Sequence, residues 1–258
     1  MPQVSAAGRS LNYEWIGSEQ DNGRPVLVFL HEGLGSIRQW RDFPALVAQA
    51  TGCRALAYDR YGYGQSDVLQ EPRRTVRFMH DEALSSLPEV LTALKIEKPI
   101  LVGHSDGASI SLIHAGAGFP VRGVVAMAPH VFIEPICISS IVAAAKTFEN
   151  TDLPERLGRY HRDVKKTFYG WADVWRDPQF GGWDIRAEYL PQIRCPVLGI
   201  QGYEDEYGTM AQLDEIARRV AGPCELLKLE DCGHSPFKDQ PGKTLAAIET
   251  FIREKKIV

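Results

Sequence analysis

Short, mostly apolar runs punctuate the chain at residues 25–30, 54–58, 100–102, 121–127, 196–200 and 224–229. Turn-rich stretches bound them, so they predict strands buried on both faces, as in a parallel sheet. The segments between them carry a helical period. Leu84, Leu87, Leu91 and Leu94 fall at i, i+3, i+7 and i+10, which makes one apolar stripe. Pro88 inside that stripe predicts a kink or a second helix start. Residues 108–117 form a small-residue helix pattern, and 213–220 and 243–253 predict two more helices. This alternation predicts an α/β fold with an open, mainly parallel sheet flanked by helices.

One segment breaks the rhythm. Residues 136–190 hold a helix-like run (138–145), a charged stretch (155–166) and three tryptophans, Trp171, Trp175 and Trp183, with no strand pattern. The segment is too long for one crossover connection. It predicts a helical lid inserted into a core made of residues 1–135 and 191–258. The chain shows no internal repeat and no low-complexity tract.

Composition narrows the function classes. The 258 residues are 44% hydrophobic and 24% charged, ordinary for a globular chain and unlike a disordered one. Lys plus Arg total 29 against 33 Asp plus Glu, a net charge of −4. That balance argues against a nucleic-acid partner, which calls for a basic face. No apolar run approaches the roughly 20 residues of a membrane helix, so no membrane partner is expected, and the first residues lack a signal-peptide core. The five cysteines are scattered, with no metal-type spacing. Reduced thiols in a cytoplasm, with no metal or other cofactor, are the simplest expectation.

The chemistry concentrates at Gly103-His104-Ser105-Asp106-Gly107, a G-x-S-x-G segment between a predicted strand and a predicted helix. A chain that reverses so sharply strains its central residue and leaves no room for neighbouring side chains, hence the two glycines. The turn lifts the Ser105 hydroxyl to a helix N-terminus, where negative charge is favoured. A serine hydroxyl is a weak nucleophile and needs a base. Of seven histidines, His234 suits best, in a loop between the last predicted strand and the last helix. His104 is expected to pack structurally, and His130 follows a strand and is within reach of a pocket. The acid that orients the base is expected at another strand end. Asp205 fits, with Glu204, Glu206 and Glu134 as rivals.

The order Ser105, Asp205, His234 resembles that of α/β-hydrolases. So do Asp59-Arg60-Tyr61-Gly62-Tyr63-Gly64-Gln65-Ser66, similar to a D-x-R-G-x-G-x-S segment, and Cys195-Pro196-Val197-Leu198 ahead of the acid. The resemblance spans nearly the whole chain and implies an α/β-hydrolase fold with a helical cap. It implies a serine hydrolase acting on a small-molecule carboxylic ester. Carbon–carbon bond hydrolysis, lyase chemistry and non-catalytic small-molecule binding remain alternatives on the same residues. The oligomeric state is left open.

Acyl transfer also calls for N–H donors around the developing oxyanion. Asp106 would supply one. Gly33 or Leu34, in His31-Glu32-Gly33-Leu34-Gly35, would supply the other. The resembling proteins usually begin this loop with His-Gly, and here Glu32 stands second. Glu32 is expected to point away from the site and to pair with Arg38 or Arg60. The Asp106 side chain is expected to turn from the pocket toward backbone donors or an Arg, the alternative being a seat for a substrate cation. His130, Phe132, Trp171, Trp175 and Trp183 are candidate pocket walls, although each serves equally well as packing between lid and sheet.

Overall fold

The computed structural model describes residues 2–17, 23–255 and 257. Among them the strands form one sheet in the order β1-β2-β4-β3-β5-β6-β7-β8. The strands are β1 (Gln3–Ala6), β2 (Arg9–Ile16), β3 (Leu27–Leu30), β4 (Ala55–Tyr58), β5 (Ile100–His104), β6 (Gly123–Met127), β7 (Val197–Gly202) and β8 (Cys224–Leu229). From β4 to β8 all neighbours run parallel, whereas β1–β2 and β2–β4 pair antiparallel. The six apolar runs became β3 to β8. Five of these strands, β3 to β7, are buried at every position, as a sheet covered on both faces requires.

The antiparallel β1–β2 hairpin was not predicted. Its signal is weak. Val4 and Ala6 point inward while Gln3 and Ser5 face solvent. The turn sits at Ala7 and Gly8, both at positive φ (49° and 71°), the backbone that a two-residue hairpin demands.

The helices α1 (Phe43–Thr51), α2 (Phe78–Asp81), α3 (Leu87–Ala93), α4 (Asp106–Gly116), α5 (Pro135–Asn150), α6 (Leu153–Gly158), α7 (Val164–Trp175), α8 (Ala211–Arg219), α9 (Pro236–Asp239) and α10 (Pro241–Glu254) divide between the faces. Alternate strand residues send Phe29, Ala57, Val102 and Met127 toward α1 and α10, where Phe43, Val47, Ile248 and Phe251 meet them. Their neighbours Val28, Leu56, Leu101 and Val124 join the opposite core, with Leu87, Ile113 and Leu213. The expected disturbance at Pro88 takes the form of a π-turn at Glu82–Ser86, so the missing proline N–H falls in the first turn of α3.

Between β6 and β7 the chain runs through α5, α6, α7 and two 3₁₀ turns, and none of these residues joins the main sheet. Phe148 of α5 stacks on Phe168 of α7, with centroids 3.9 Å apart. This helical layer is tied to the loop after β4. Thr167 Oγ1 donates to the Gly62 carbonyl (2.8 Å) and Lys166 Nζ to that of Leu69 (3.0 Å). His161 Nδ1 accepts from the Gly64 N–H (2.9 Å), which leaves its Nε2–H to donate to the Leu34 carbonyl (3.0 Å).

Candidate active site

The turn from β5 into α4 holds Ser105 at φ 53°, ψ −118°, a conformation that costs a non-glycine residue about 1–3 kcal/mol. Its neighbours compensate. The Ser105 N–H donates to the Met127 carbonyl (2.9 Å), and α4 packs so close to β3 that a side chain on Gly107 would strike the Leu30 carbonyl. The hydroxyl is thereby fixed at the carboxyl ends of the central strands.

The loops after β7 and β8 meet it there. His234 Nε2 stands 2.9 Å from Ser105 Oγ, and His234 Nδ1 stands 2.8 Å from Asp205 Oδ1. Asp205 also accepts from the Tyr207 N–H (2.9 Å) and from Gln201 Nε2 (3.1 Å), so both of its oxygens are held. A carboxylate only accepts, so the His234 proton sits on Nδ1 and Nε2 is free to accept the serine proton. Burial works against ionising Asp205, yet the imidazole and the donated hydrogen bonds outweigh it, and its carboxyl titrates below the usual range. Burial likewise opposes a charge on His234, but Asp205 first, then Glu206 and Glu32, leave its pKa above the ordinary 6.5.

The rival acid Glu134 is committed elsewhere. It accepts from the Thr209 N–H (3.0 Å), the Thr209 hydroxyl (2.6 Å) and Gln212 Nε2 (2.7 Å), anchoring the start of α8. His104 holds the His234 backbone in place, with Nε2 2.7 Å from the His234 carbonyl. His130 is buried and its pKa is pushed down to about 3, by burial first and then by His234, so it stays a neutral wall against Trp175.

The pairing expected for Glu32 is corrected, whereas Asp106 does meet an arginine. Glu32 pairs with neither Arg38 nor Arg60. Its carboxylate lies 3.4 Å from His104 Nδ1 and 3.9 Å from Lys238 Nζ, and the residue helps wall the pocket. Burial opposes its ionisation, but the facing His104 imidazole and the Lys238 ammonium depress its pKa well below the usual carboxylate range. Arg38 reaches the Arg159 carbonyl instead (2.8 Å). Asp106 is fully buried. Among the described residues neither of its oxygens accepts a hydrogen bond, and its charge partner is Arg60, at 3.8 Å. Burial raises its pKa, and Arg60 pulls the other way. A substrate cation would find a guanidinium already at this carboxylate.

Ser105 and His234 face a cavity of about 110 Å³. Gly33, Leu34, Trp171 and Trp175 wall it, together with His130. So do Cys137, Ile141 and Tyr207, which sequence reasoning missed. Cys137 and Ile141 sit four apart on α5, a spacing that marks one face but not what it covers. Tyr207 lies against the His234 ring, centroids 4.7 Å apart. Phe132 and Trp183 are not in the wall. Phe132 pairs its backbone with Asp184 and lies beneath the Arg186 guanidinium, and Trp183 packs on His80 and Phe180. Among the described residues, the Gly33, Leu34 and Asp106 N–H groups donate to no protein acceptor. A larger cleft of about 440 Å³ lies at the opposite ends of the strands, but its lining of Arg24, Arg54, Lys95, Lys98, Arg122 and the single carboxylate Glu97 holds no serine, cysteine or histidine.

The fold and this constellation define a class, and the chain belongs to the alpha/beta hydrolase family, whose model matches residues 27–248. A curated relative, 3-oxoadipate enol-lactonase 1 of Acinetobacter baylyi, is 24% identical over 268 residues, which cover 95% of this chain and 94% of the relative. The solved enol-lactonase of Burkholderia xenovorans LB400 superposes with a TM-score of 0.76 at 21% identity, over 98% of this chain and 100% of that one. A solved N-acyl homoserine lactone degrading enzyme gives 0.70 at 22% identity, over 97% and 100%. At these identities the structural likeness speaks for the fold.

Proposed function

We propose that the protein is a serine hydrolase of small, neutral carboxylic esters or lactones that works through an acyl-enzyme on Ser105. The observation that carries this reading is the unbroken chain Asp205–His234–Ser105 opening onto a small cavity. His234 Nε2 takes the hydroxyl proton as Oγ attacks the carbonyl carbon. The N–H groups of Asp106 and the Gly33–Leu34 segment take the oxyanion. As the tetrahedral intermediate collapses, His234 returns the proton to the leaving alkoxide. Water then repeats the sequence on the acyl-enzyme and releases the acid, while Asp205 steadies the imidazolium through both halves. The segment 136–190 is the cap, since α5 and α7 supply Cys137, Ile141, Trp171 and Trp175 to the acyl pocket. The lactone half of the proposal is supported by the enol-lactonases among the similar proteins.

Size and charge narrow the acyl group. A cavity of about 150 Å³ takes a benzene ring, so one of about 110 Å³ suits an acyl chain of roughly four carbons. Glu32 stands in the wall and no Lys or Arg does, which disfavours an acyl group bearing its own carboxylate. On p-nitrophenyl esters, the acetate and butyrate are expected to exceed the octanoate in kcat/KM by about tenfold or more and the mono-succinate by about a hundredfold. A preference for the octanoate or the succinate contradicts the cavity argument, and the absence of turnover on every ester contradicts the hydrolase reading.

The base must be neutral to accept a proton, so activity is expected to rise with pH as His234 deprotonates. Because its pKa is raised, the acid limb of kcat/KM is expected above pH 6.5. A profile flat from pH 5 to 9 removes His234 from the role of base.

A further inference from the structure

The two oxyanion donors lie on different elements, and one buried cation touches the support of both. Arg60 is 1% exposed and so has no access to substrate. Its Nη2 donates to the Glu32 carbonyl (2.9 Å) and to the His31 carbonyl (3.2 Å), and it lies 3.8 Å from the Asp106 carboxylate. The Glu32 carbonyl takes two further donors, His31 Nδ1–H (2.7 Å) and the Gly35 N–H (3.0 Å). The His31 ring is fixed for this task. Its Nε2 accepts from the Arg60 N–H (3.1 Å), which leaves the proton on Nδ1.

A planar trans peptide points its C=O and N–H in opposite directions. Three donors clamp the Glu32 oxygen on one side, so the Gly33 N–H of the same peptide is aimed the other way, and among the described residues it has no protein acceptor. Gly33 walls the cavity with Ser105, and a side chain there would run into the Trp171 indole. We infer that Arg60 is a positioning residue that aims the Gly33 N–H as the second oxyanion donor, and that it ties this donor to Asp106, the carrier of the first. Donation to a carbonyl also polarises the peptide and strengthens its own N–H as a donor. Arg60 is itself held fast. Asp59 accepts from the Ile37 and Gln65 N–H groups (2.8 and 2.9 Å), which closes the loop that presents it, and the guanidinium rests on the Tyr63 ring, 4.7 Å from its centroid.

The inference rests on the acyl-transfer reading, and its test separates the two. Arg60→Lys keeps a positive charge near Asp106, but its shorter side chain leaves empty the Nη2 position that touches both carbonyls. Rates are taken per active site, counted by fluorophosphonate titration, so that misfolded protein does not enter. With p-nitrophenyl butyrate the expected result is a kcat lower by about 30- to 100-fold, less than the 10²–10³ of losing a donor outright, with KM within about threefold. The Ki of a short alkyl trifluoromethyl ketone, whose hemiketal oxyanion occupies the same place, is expected to rise by a matching factor. His31→Gln, which retains an acceptor for the Arg60 N–H but loses the Nδ1–H donor, is expected to lower kcat about five- to tenfold. His31→Asn, which keeps a donor near Nδ1, is expected to restore most of it. If Arg60→Lys fails to fold, the His31 pair decides by the same parameters. An active wild type beside an Arg60→Lys enzyme within twofold in kcat and Ki overturns the assignment alone. A wild type with neither ester turnover nor ketone affinity overturns the hydrolase reading and the assignment with it.

Discussion

Ester hydrolysis is expected to fall by about 10⁶-fold in Ser105→Ala and about 10⁴-fold in Asp205→Asn, both in kcat. The first removes the hydroxyl oxygen that stands 2.9 Å from His234 Nε2. The second is more telling, because it changes almost no volume. Asn offers either an amide oxygen or an N–H₂ to His234 Nδ1. With Gln201 Nε2 and the Tyr207 N–H already donating to residue 205, the amide has donors on both sides and the imidazole alone to give to. If its N–H₂ faces Nδ1, the ring must carry its proton on Nε2, facing Ser105, and there it accepts nothing. Loss of the carboxylate also removes the largest influence raising the His234 pKa, so the acid limb of the pH profile is expected to move down. Steady-state kinetics with p-nitrophenyl butyrate check both variants. A tenfold loss or less in Asp205→Asn, with the acid limb unmoved, is the contradicting result.

Gly107→Ala is expected to lower the thermal midpoint by about 10 °C or to prevent folding. A Cβ there would press into the Leu30 carbonyl group, and the His31 oxygen, third in line, would be only 2.8 Å away. These are backbone atoms of β3 and its loop, so relief requires moving α4 away from the sheet. Changes of more than 4 kcal/mol are rare and come from conflicts of this kind, and for a chain of this size each kcal/mol moves the midpoint by roughly 2–4 °C. Any shift of α4 also carries Ser105 and the Asp106 N–H out of line, so surviving protein is expected to be catalytically poor. Gly242→Ala is the control. Nothing lies within 4 Å of its added Cβ, in the first turn of α10, and its midpoint is expected within about 2 °C of wild type. Matching midpoints for the two variants, read by circular dichroism, contradict this packing account.

What the sequence disclosed follows from how locally each feature is encoded. The strands β3 to β7 were legible because a strand covered on both faces must be continuously apolar, and the half-buried edge strand β8 because it still carries three leucines in six residues. The β1–β2 hairpin was not, because its half-exposed residues alternate over too few positions. Ser105 could be read from its glycines, whose spacing reports a backbone constraint. Asp205 and His234 followed from their positions just beyond strand ends, where a parallel sheet gathers its loops. Glu32 shows the limit. Its partners His104 and Lys238 come from the end of β5 and from α9, and no local pattern announces that they converge. Aromatic content misled in the same way. Trp171, Trp175, Trp183 and Phe132 are all apolar enough for a pocket, but which of them faces it depends on the rotation of α7 and on the backbone pairing of Phe132 with Asp184.

The most direct measurement is intact-protein and peptide mass spectrometry after rapid acid quench of the enzyme with p-nitrophenyl butyrate. A butyryl adduct on the peptide bearing residue 105, formed in step with a burst of p-nitrophenol and missing from His234→Ala, is the predicted result. Steady hydrolysis without any such adduct, after fluorophosphonate has left the same serine unlabelled, would contradict the account.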